Sequence, residues 1–373
     1  MLSLLLAYTP SALASSNSSE KVRERIQKIV SYFNNKKSFN GNVEVRKDDD
    51  IIYSESTGIA NDSFDVPHTM KSRFMIASLS KQFTAAAILK LAEEEKISLD
   101  DPYSLYVPWR KRSINSQKEW NSFTIKELLN HTSGIVKDIE AGPYSSNEMY
   151  KPILSSVVND MTSSNDIFIY NRSDKGSYSN FGYLLLAHLV EKVSGKYFHE
   201  YLSEAFFKPL KMNSTGQYHR MFNIKYMSEG YAITDGTGKL HKRCCLDATS
   251  FIGSHSLYSD LPDLMIWLND IFSGDSKVLS QSSIKKMTNI QSLINPNLTY
   301  GYGFVVDEWK GHKRVWHDGM ETGFLSIASV IEDLGIKIVI LSNKHGADVY
   351  SETPYPHTMV DQILEVLTEN LPK

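Results

Sequence analysis

The sequence predicts an α/β fold of the α+β kind, with one antiparallel sheet made from both chain ends, helices that flank it, and a mostly helical lobe. Two observations carry this prediction. Strand patterns occur near the N-terminus, at residues 41–54, and return after residue 300. The part between them, residues 100–295, is mostly helical and rich in loops. A sheet built from the two ends, with the helical part inserted as a second lobe, is the simplest architecture that satisfies both.

The N-terminal elements are a helix and a hairpin. A helix is expected from Ser19, because apolar side chains recur there at the spacing of one helix face, namely Val22, Ile26, Ile29, Val30 and Phe33. Residues 41–46 then alternate, Asp48-Asp49-Asp50 provides a turn, and residues 51–54 resume the alternation. This pattern predicts a β-hairpin.

The later elements follow the same logic. A long apolar helix is expected from Ser78 to Glu95, and another from Phe181 to Val193, where Ser194-Gly195 stops it. A cleft between the sheet and the helical lobe is where a small-molecule site is expected. The C-terminal part predicts strands at residues 303–306, 314–316, 324–331 and 336–341, and a final helix at 356–367.

Composition fits a large folded domain. The chain has 373 residues, of which 41 % are hydrophobic, so it can bury a core and is not disordered as a whole. Its 40 basic and 43 acidic residues give a formal net charge of −3, which excludes the electrostatic footprint of a nucleic-acid-binding protein. The only cysteines, Cys244 and Cys245, are adjacent and therefore cannot cross-link distant segments. We interpret them as ordinary thiols rather than a redox switch.

The N-terminus is similar to a secretory signal peptide. An apolar run precedes Ala12-Leu13-Ala14, an A-x-A cleavage pattern, although no Lys or Arg precedes the run. We expect residues 1–14 to be a leader, residues 20–370 to form a single domain of two lobes, and the protein to be periplasmic or secreted. Without a leader it would be cytoplasmic. No later stretch approaches eighteen uninterrupted apolar residues, so no transmembrane segment is expected in the mature chain.

The first chemical motif is Ser78-Leu79-Ser80-Lys81. Residues i and i+3 share a helix face, so a Ser hydroxyl and a Lys amine can meet there. The positive end of the helix dipole favours developing negative charge at Ser78, and a buried Lys loses its proton more easily and can act as a base. The S-x-x-K pattern occurs four times, but only the copy at Ser78 opens a long apolar helix.

The second motif is Tyr178-Ser179-Asn180, directly before the helix predicted from Phe181. A Tyr near cations can act as a general acid or base, and the Asn side chain can hold both a substrate amide and the Lys amine. The pattern Y-x-N occurs twice in the chain, so it carries weight only beside the first motif.

The third motif, His317-Asp318-Gly319, is expected to lead into a strand. A Gly at a strand edge allows close approach of a substrate backbone. The N–H of Met320 can pair with that of Ser78 to form an oxyanion hole. A lone His such as His317 is more often structural, so its interpretation depends on the other motifs.

In this order the motifs resemble those of the penicillin-recognising serine hydrolases, which carry S-x-x-K, S-D-N and K-T-G. Class C β-lactamases and the related D,D-peptidases and esterases have Y-x-N as the second motif. The resemblance covers roughly residues 25–370. It implies a β-lactamase/D,D-transpeptidase-like fold. Further stretches that carry it are residues 74–85, 99–102, 125–134, 180–186, 193–195, 209–212 and 300–304.

The resemblance also implies roles for single residues. Ser78 would be the nucleophile that forms an acyl-enzyme, Lys81 would activate it, and Tyr178 would pass the proton to the leaving group. Whether Lys81 or Tyr178 is the base in each half-reaction stays open, because the pair is expected to titrate as a unit. Substrate binding would fall to Asn180, His317, Gly319 and Met320. No metal or cofactor is implied.

The third motif departs from the β-lactamase pattern, in which Lys stands at the position of His317. A His is mostly neutral at pH 7, so binding of a substrate carboxylate should be weaker. Asp318 would repel an anionic substrate or pair with His317. The pattern Lys344-His345-Gly346 is a rival third motif, but it follows a stretch similar to the end of the family's next strand. His255 is expected to be structural.

These observations predict a serine hydrolase with a small-molecule or peptide substrate, of the D,D-carboxypeptidase, D-amino-acid peptidase or esterase type. A true β-lactamase is one alternative, and a catalytically inactive, penicillin-sensor-like binding protein is another. A zinc hydrolase is disfavoured, because none of the 11 His residues forms H-E-x-x-H. No nucleic-acid partner is expected, and the oligomeric state stays open.

Overall fold

The description of the fold and site rests on a computed structural model. It describes residues 10–37, 39–108, 122–135, 176–219, 222–232, 241–242, 251–296, 298–321, 323–345, 354–369 and 371. Residues 1–9, most of the expected leader, lie outside these ranges, and so do Cys244 and Cys245.

The helices and strands are numbered in chain order. The helices are α1 (Pro10–Lys37), α2 (Ser80–Glu93), α3 (Ile125–Leu129), α4 (Asn180–Ser194), α5 (Phe198–Leu202), α6 (Lys208–Leu210), α7 (Leu261–Ile271), α8 (Gln281–Thr288) and α9 (Tyr355–Thr368). The strands are β1 (Gly41–Lys47), β2 (Asp50–Thr57), β3 (Ile59–Asn61), β4 (Val66–Pro67), β5 (Phe74–Met75), β6 (Gly216–Gln217), β7 (Tyr231–Ala232), β8 (His241–Lys242), β9 (Leu257–Ser259), β10 (Ser292–Asn295), β11 (Leu298–Tyr300), β12 (Val305–Trp309), β13 (His312–Glu321), β14 (Phe324–Ile331), β15 (Ile336–Ser342) and β16 (Lys344–His345).

The main sheet joins the two ends of the chain. Its eight strands lie in the order β10-β11-β12-β13-β14-β15-β1-β2, and every neighbouring pair is antiparallel. Strand β1 pairs with β15 from Gly41 opposite Ser342 to Lys47 opposite Ile336. The predicted antiparallel sheet from both chain ends is therefore confirmed.

The N-terminal hairpin forms where the alternating pattern predicts it. Strands β1 and β2 are joined across Asp48 and Asp49, and Asp48 adopts a φ of 54°. Asp and Asn tolerate this left-handed conformation better than most residues, because their short polar side chains can hydrogen-bond locally. The tight turn thus explains the run of acidic residues between two alternating segments.

Helices α1 and α9 cover one face of the main sheet. Ile26, Val30 and Phe33 of α1 and Met359 and Ile363 of α9 belong to one buried cluster together with sheet side chains. These α1 residues share the face that the sequence spacing predicts. The helix itself begins earlier than expected, at Pro10 instead of near Ser19, and Pro suits a first helical turn because its missing N–H is not needed there.

The other face of the sheet packs against the helical lobe. Helices α2 and α4 are buried along most of their length and contact each other. Val315, Val339 and Leu341 of the sheet belong to the same large apolar cluster as these helices. Helix α2 thus lies between the sheet and the lobe, which is where the sequence places the first chemical motif.

Two expectations about elements need correction. The third motif does not precede a strand but lies inside β13, a ten-residue strand that extends from His312 to Glu321. In addition, α2 begins at Ser80, because residues 77–79 form a 3₁₀ turn. In the described part of the chain, no helix is long and apolar enough to cross a membrane.

Candidate active site

Ser78 lies in a tight turn between β5 and α2. The 3₁₀ turn Ala77–Leu79 is buried, and Ala77 has a φ of 45°, in the left-handed region that a residue with a Cβ adopts only at a cost. Such backbone strain concentrates at functional sites, where the surrounding structure holds it in place. The Ser78 side chain is therefore held at the very entrance to the helix, as the sequence predicts.

Lys81 hydrogen-bonds the Ser78 hydroxyl. Its Nζ lies 2.9 Å from Ser78 Oγ, 2.8 Å from Asn180 Oδ1 and 3.2 Å from the carbonyl oxygen of Ser254. The Lys81 side chain is completely buried, so the ammonium exchanges its hydration for these oxygen acceptors. Three segments that are distant in sequence, α2, the start of α4 and the loop before β9, meet at this one nitrogen.

Tyr178 lies against the same ammonium. Lys81 Nζ is 4.8 Å from the centre of the Tyr178 ring and 5.7 Å from that of Tyr183. A cation at this distance is attracted by the negative face of an aromatic ring. Ser78, Lys81, Tyr178 and Asn180 are thus brought together, although the sequence separates the first two from the last two by about a hundred residues.

The segment that carries Tyr178 is fixed by its neighbours. Ser179 is the N-cap of α4, and its Oγ accepts a hydrogen bond of 3.1 Å from Gly182 N–H. On the preceding side, the carbonyl oxygen of His131 accepts a 2.8 Å bond from Ser177 N–H, and His131 Nδ1 accepts a 3.0 Å bond from Ser179 N–H. His131, in the stretch Leu-Leu-Asn-His-Thr-Ser-Gly, has no role that the sequence predicts.

His317 of β13 is buried beside this group and hydrogen-bonded at both nitrogens. Its Nδ1 lies 2.6 Å from the carbonyl oxygen of Asp318, and its Nε2 lies 2.9 Å from the Tyr300 hydroxyl. Because a carbonyl oxygen only accepts, the neutral ring carries its proton on Nδ1 and accepts at Nε2. Burial, opposed by Asp318 and assisted by the charge of Lys81, lowers the pKa of His317 to about 4. The ring is therefore neutral at pH 7.

Asp318 points away from that face. Neighbouring side chains of a strand alternate between the two faces of a sheet, and Asp318 Oδ2 lies 3.1 Å from Nε2 of His357 on α9. Burial alone would raise the pKa of Asp318, but the hydrogen bond to His357 and the adjacent imidazoles lower it below its usual value. The expected partner of Asp318 is His317, but its Nδ1 is 3.8 Å from Oδ1, and the carboxylate instead hydrogen-bonds His357.

Gly319 brings β13 into contact with the Ser78 turn. A Cβ at Gly319 would lie 2.5 Å from the carbonyl oxygen of Ile76 and 2.4 Å from Ser326 Oγ, so only a glycine fits. Ser326 on the neighbouring strand donates a 2.8 Å hydrogen bond to that same carbonyl. The next residue, Met320, is 43 % exposed and lies at the rim. The backbone of β13 thus runs directly beside the Ser78 turn.

Three neutral imidazoles surround the Lys81 ammonium. Burial is the main cause that lowers the pKa of His131, His255 and His317, and the charge of Lys81 lowers all three further. His255 Nδ1 also lies 2.8 Å from Oγ of Ser254, whose carbonyl oxygen contacts Lys81. These three imidazoles therefore add no positive charge to that of Lys81 near neutral pH.

The rival third motif lies away from β13. Lys344 of the rival third motif begins β16, which pairs with β7 instead of lining β13, and burial lowers its pKa. Among the residues whose positions are described, no group of three or more His, Cys, Asp or Glu side chains is arranged to hold a metal ion.

The chain is similar to known proteins along most of its length. The beta-lactamase family model matches residues 26–357. The chain is 28 % identical over 347 residues to penicillin-binding protein 4* of Bacillus subtilis (strain 168), covering 88 % of this chain and 74 % of that protein. It is 26 % identical over 328 residues to protein flp of Staphylococcus aureus (strain N315), covering 86 % of this chain but only 63 % of the length of flp.

A solved structure shares the fold. The D-amino acid amidase from Ochrobactrum anthropi SV3, complexed with D-phenylalanine, superposes with a TM-score of 0.79 at 22 % identity. The superposition covers 94 % of this chain and 99 % of the amidase. The fold class predicted from the sequence is therefore confirmed.

Proposed function

Because the chain belongs to the beta-lactamase family and is a serine hydrolase of that superfamily, we propose that Ser78 forms an acyl-enzyme with amides or esters of D-amino acids, D-peptides included. The observation that carries this proposal is the 2.9 Å hydrogen bond between Lys81 Nζ and Ser78 Oγ inside a buried site. A serine hydroxyl is a weak nucleophile and needs an adjacent group that takes its proton. Catalysis is assigned to Ser78, Lys81 and Tyr178.

The proposed reaction has two halves. In the first, the Lys81–Tyr178 pair is one proton short, with either a neutral Lys81 amine or a Tyr178 phenolate, and it takes the proton of Ser78 Oγ as this oxygen attacks the substrate carbonyl carbon. The carbonyl oxygen becomes an oxyanion that the N–H groups of Ser78 and Met320 stabilise. The Tyr178 hydroxyl then delivers a proton to the departing nitrogen or oxygen, and the acyl–Ser78 ester remains. In the second half, a water molecule attacks this ester with the same groups in reverse order.

The chemistry around the third motif favours a substrate without a carboxylate at the leaving-group side. A carboxylate there would need a fixed cation, and the imidazole of His317 is buried, neutral and hydrogen-bonded at both nitrogens. An amide or ester needs only hydrogen bonds, which the β13 backbone at Gly319 and the Asn180 side chain can supply. The similarity of fold to a D-amino acid amidase agrees with this choice of substrate.

A penicillin-recognising activity is the second candidate. The observation that favours it is the 28 % identity to penicillin-binding protein 4* over most of the chain. A β-lactam acylates a serine through the same nucleophile, but it carries the carboxylate that a neutral His317 binds poorly. A D,D-carboxypeptidase has the same requirement, so we place both behind amide and ester hydrolysis.

We also propose that residues 20–370 form one catalytic domain and that residues 1–14 are a leader that directs it to the cell envelope or the medium. The A-x-A pattern at Ala12-Leu13-Ala14 supports this. Intact mass of the protein expressed with its own N-terminus in an exporting bacterium tests it, because removal of the leader leaves a shorter chain. An unprocessed, cytoplasmic chain would contradict the proposal.

The decisive experiment measures hydrolysis of D-phenylalanine amide and of D-phenylalanine p-nitrophenyl ester, with their L-enantiomers as controls. We expect preference for the D-enantiomers, and loss of at least about 10³-fold in rate in Ser78→Ala with an unchanged melting temperature. Intact mass spectrometry with benzylpenicillin separates the candidates. A stable penicilloyl adduct on Ser78 without amide turnover would favour penicillin recognition, and unchanged hydrolysis in Ser78→Ala would refute the assigned nucleophile.

A further inference from the structure

We propose that His131 is a positioning residue for Tyr178, and that it sets how efficiently Tyr178 protonates the leaving group. The inference rests on the proposed function, in which Tyr178 delivers that proton. The hydrogen bonds and ring contacts of His131 join it to residues other than Ser78. It acts through the short segment 176–179, which bears the phenol.

His131 forms hydrogen bonds with both sequence neighbours of Tyr178. Its backbone carbonyl accepts from Ser177 N–H at 2.8 Å, and its imidazole Nδ1 accepts from Ser179 N–H at 3.0 Å. One residue therefore fixes the backbone on both sides of Tyr178. With both neighbours held, the direction in which the phenol leaves the backbone is determined.

The imidazole also packs on the phenol itself. The ring centres of His131 and Tyr178 are 4.5 Å apart, and Lys81 Nζ is 4.8 Å from the same phenol ring. Gly176 makes this approach possible, because a Cβ there would lie 3.0 Å from the carbonyl oxygen of His131 and 2.9 Å from Cδ1 of Ile294. The His131 ring, the His131 backbone and Ile294 of β10 thus together restrict the position of the Tyr178 ring.

His131 holds this place at a cost. Its φ is 63°, which is unusual for a residue with a side chain of this size. Because Nδ1 accepts a hydrogen bond, the proton of the neutral ring lies on Nε2, which is buried and has no partner among the described residues. Burial and the charge of Lys81 keep its pKa well below the usual value, so Nδ1 stays an acceptor across the working range. A strained and partly unsatisfied residue persists where the surroundings require it.

Two variants separate the acceptor from the ring. His131→Leu keeps a similar volume but removes the acceptor, so Ser179 N–H loses its partner. His131→Asn also removes the ring, but its Oδ1 can take the place of Nδ1, and Asn tolerates a positive φ. If His131→Leu fails to fold, His131→Gly removes the same acceptor and adopts this φ freely.

The test compares two leaving groups. An amide nitrogen must be protonated to depart, whereas p-nitrophenolate is a stabilised anion that leaves without a proton. In His131→Leu we expect kcat for D-phenylalanine amide to fall about 10- to 100-fold, within the range of general acid catalysis, while KM changes little. The kcat/KM of the p-nitrophenyl ester, which reports acylation alone and with Lys81 as the base for Ser78 does not need Tyr178, should fall less than about threefold, and His131→Asn should recover most of the amide activity.

Three results would overturn the inference: equal loss on both substrates, no loss on either, or no recovery with Asn. A merely structural role predicts the first, together with a lower melting temperature. A second readout does not need turnover. With ¹³C-labelled tyrosine, the Tyr178 Cζ resonance, assigned from Tyr178→Phe, should be single and sharp in the wild type and in His131→Asn but broad or multiple in His131→Leu. An unaltered line shape in His131→Leu would refute the positioning role even if the proposed substrates fail.

Discussion

At the scale of single residues, His317 shows how burial changes what a side chain can offer. The same imidazole on the surface would be partly charged near pH 6.5 and could attract an anion. Here it is 2 % exposed, its proton is directed to the Asp318 carbonyl, and its lone pair faces the Tyr300 hydroxyl. His317 therefore lines the site as an uncharged side chain that is fixed in its orientation.

This arrangement leads to a prediction about Tyr300. A hydroxyl that donates to Nε2 stabilises the neutral ring, so Tyr300→Phe should raise the pKa of His317 from about 4 by about one pH unit. Because protonation of His317 would disturb the site, the pH at which kcat/KM for the amide falls on the acid side should rise by the same amount, measured between pH 4 and 8. Tyr103→Phe is the matched control, because it removes a similar 3.2 Å hydrogen bond to His188 in the helical lobe. An identical pH profile in wild type and Tyr300→Phe would contradict this interpretation.

Sequence reasoning found the groups that carry a motif and missed those that support them. Ser78 and Lys81 are found because their spacing places them on one helix turn, and Tyr178 and Asn180 because they precede a clear helix. Tyr300 and the Ser254 carbonyl contact the site only once the chain is folded. Residues 300–304 carry the resemblance, but nothing in that stretch indicates that Tyr300 contacts His317, since the partners of such residues lie on other segments.

At the scale of elements, the site depends on how closely β13 approaches the turn before α2. Gly319 permits the contact between β13 and the Ile76 carbonyl. Gly303, between β11 and β12, permits a close contact with α2, because a Cβ there would lie 2.8 Å from the backbone of Gln82. Gly319 thus places β13 against the nucleophile turn, and Gly303 places the connection between β11 and β12 against the first turn of α2. Any side chain at these two positions would collide with the neighbouring backbone.

Gly319→Ala should therefore separate β13 from the Ser78 turn. The added methyl group would lie 2.5 Å from a backbone oxygen, so the strand must shift, and the oxyanion donors shift with it. We expect kcat to fall by about 10²-fold, measured with the p-nitrophenyl ester. Gly182→Ala is the control, because its methyl group would have its nearest neighbour at 3.6 Å inside a helix, and it should leave activity intact and stabilise slightly. Equal behaviour of the two variants would refute the close-contact argument.

The elements that sequence predicts well are those with a strong pattern of their own. The hairpin of β1 and β2, the apolar strands β14 and β15, and helices α4 and α9 lie close to their expected positions. Strand β13 is longer than expected, because Asp318-Gly319 resembles a turn until pairing with β14 holds it extended. Two-residue strands such as β5 or β16 have no detectable period, since their pairing depends entirely on partners elsewhere.

At the scale of the whole molecule, buried neutral histidines determine the response to acid. Burial is the first cause that lowers the pKa of His68, His188 and His317 from 6.5 to about 4. The unfolded chain therefore binds protons below pH 6.5 that the folded chain refuses until about pH 4. The stability that these groups contribute is fully present above pH 6.5 and is lost as the pH falls toward 4.

We expect the free energy of unfolding to decrease between pH 7 and pH 4.5, by up to about 3 kcal/mol for each such histidine. Asp263 and Glu191 oppose this trend, because burial raises their pKa values, that of Asp263 from 3.8 to about 6, and their contribution is lost as the pH rises. The histidines with a lowered pKa, which include His131 and His255, outnumber them. Urea unfolding at both pH values measures the net effect. His188→Gln, away from the site, should flatten the dependence, and stability that rises on acidification would contradict the prediction.

The pairing of β1 with β15 also has a consequence for how the chain is made. Asn40 and Ser342, joined by a hydrogen bond at this seam, are 302 residues apart. During synthesis the first hairpin leaves the ribosome early, yet the strand that pairs with β1 follows only after the whole helical lobe has been made. Until then the edge of β1 is an unpaired row of backbone groups, the kind of edge on which nascent chains aggregate. Assembly of the central sheet is thus a late event that waits for translation, and slow elongation or a missing chaperone should harm this protein more than one whose neighbouring strands are adjacent in sequence.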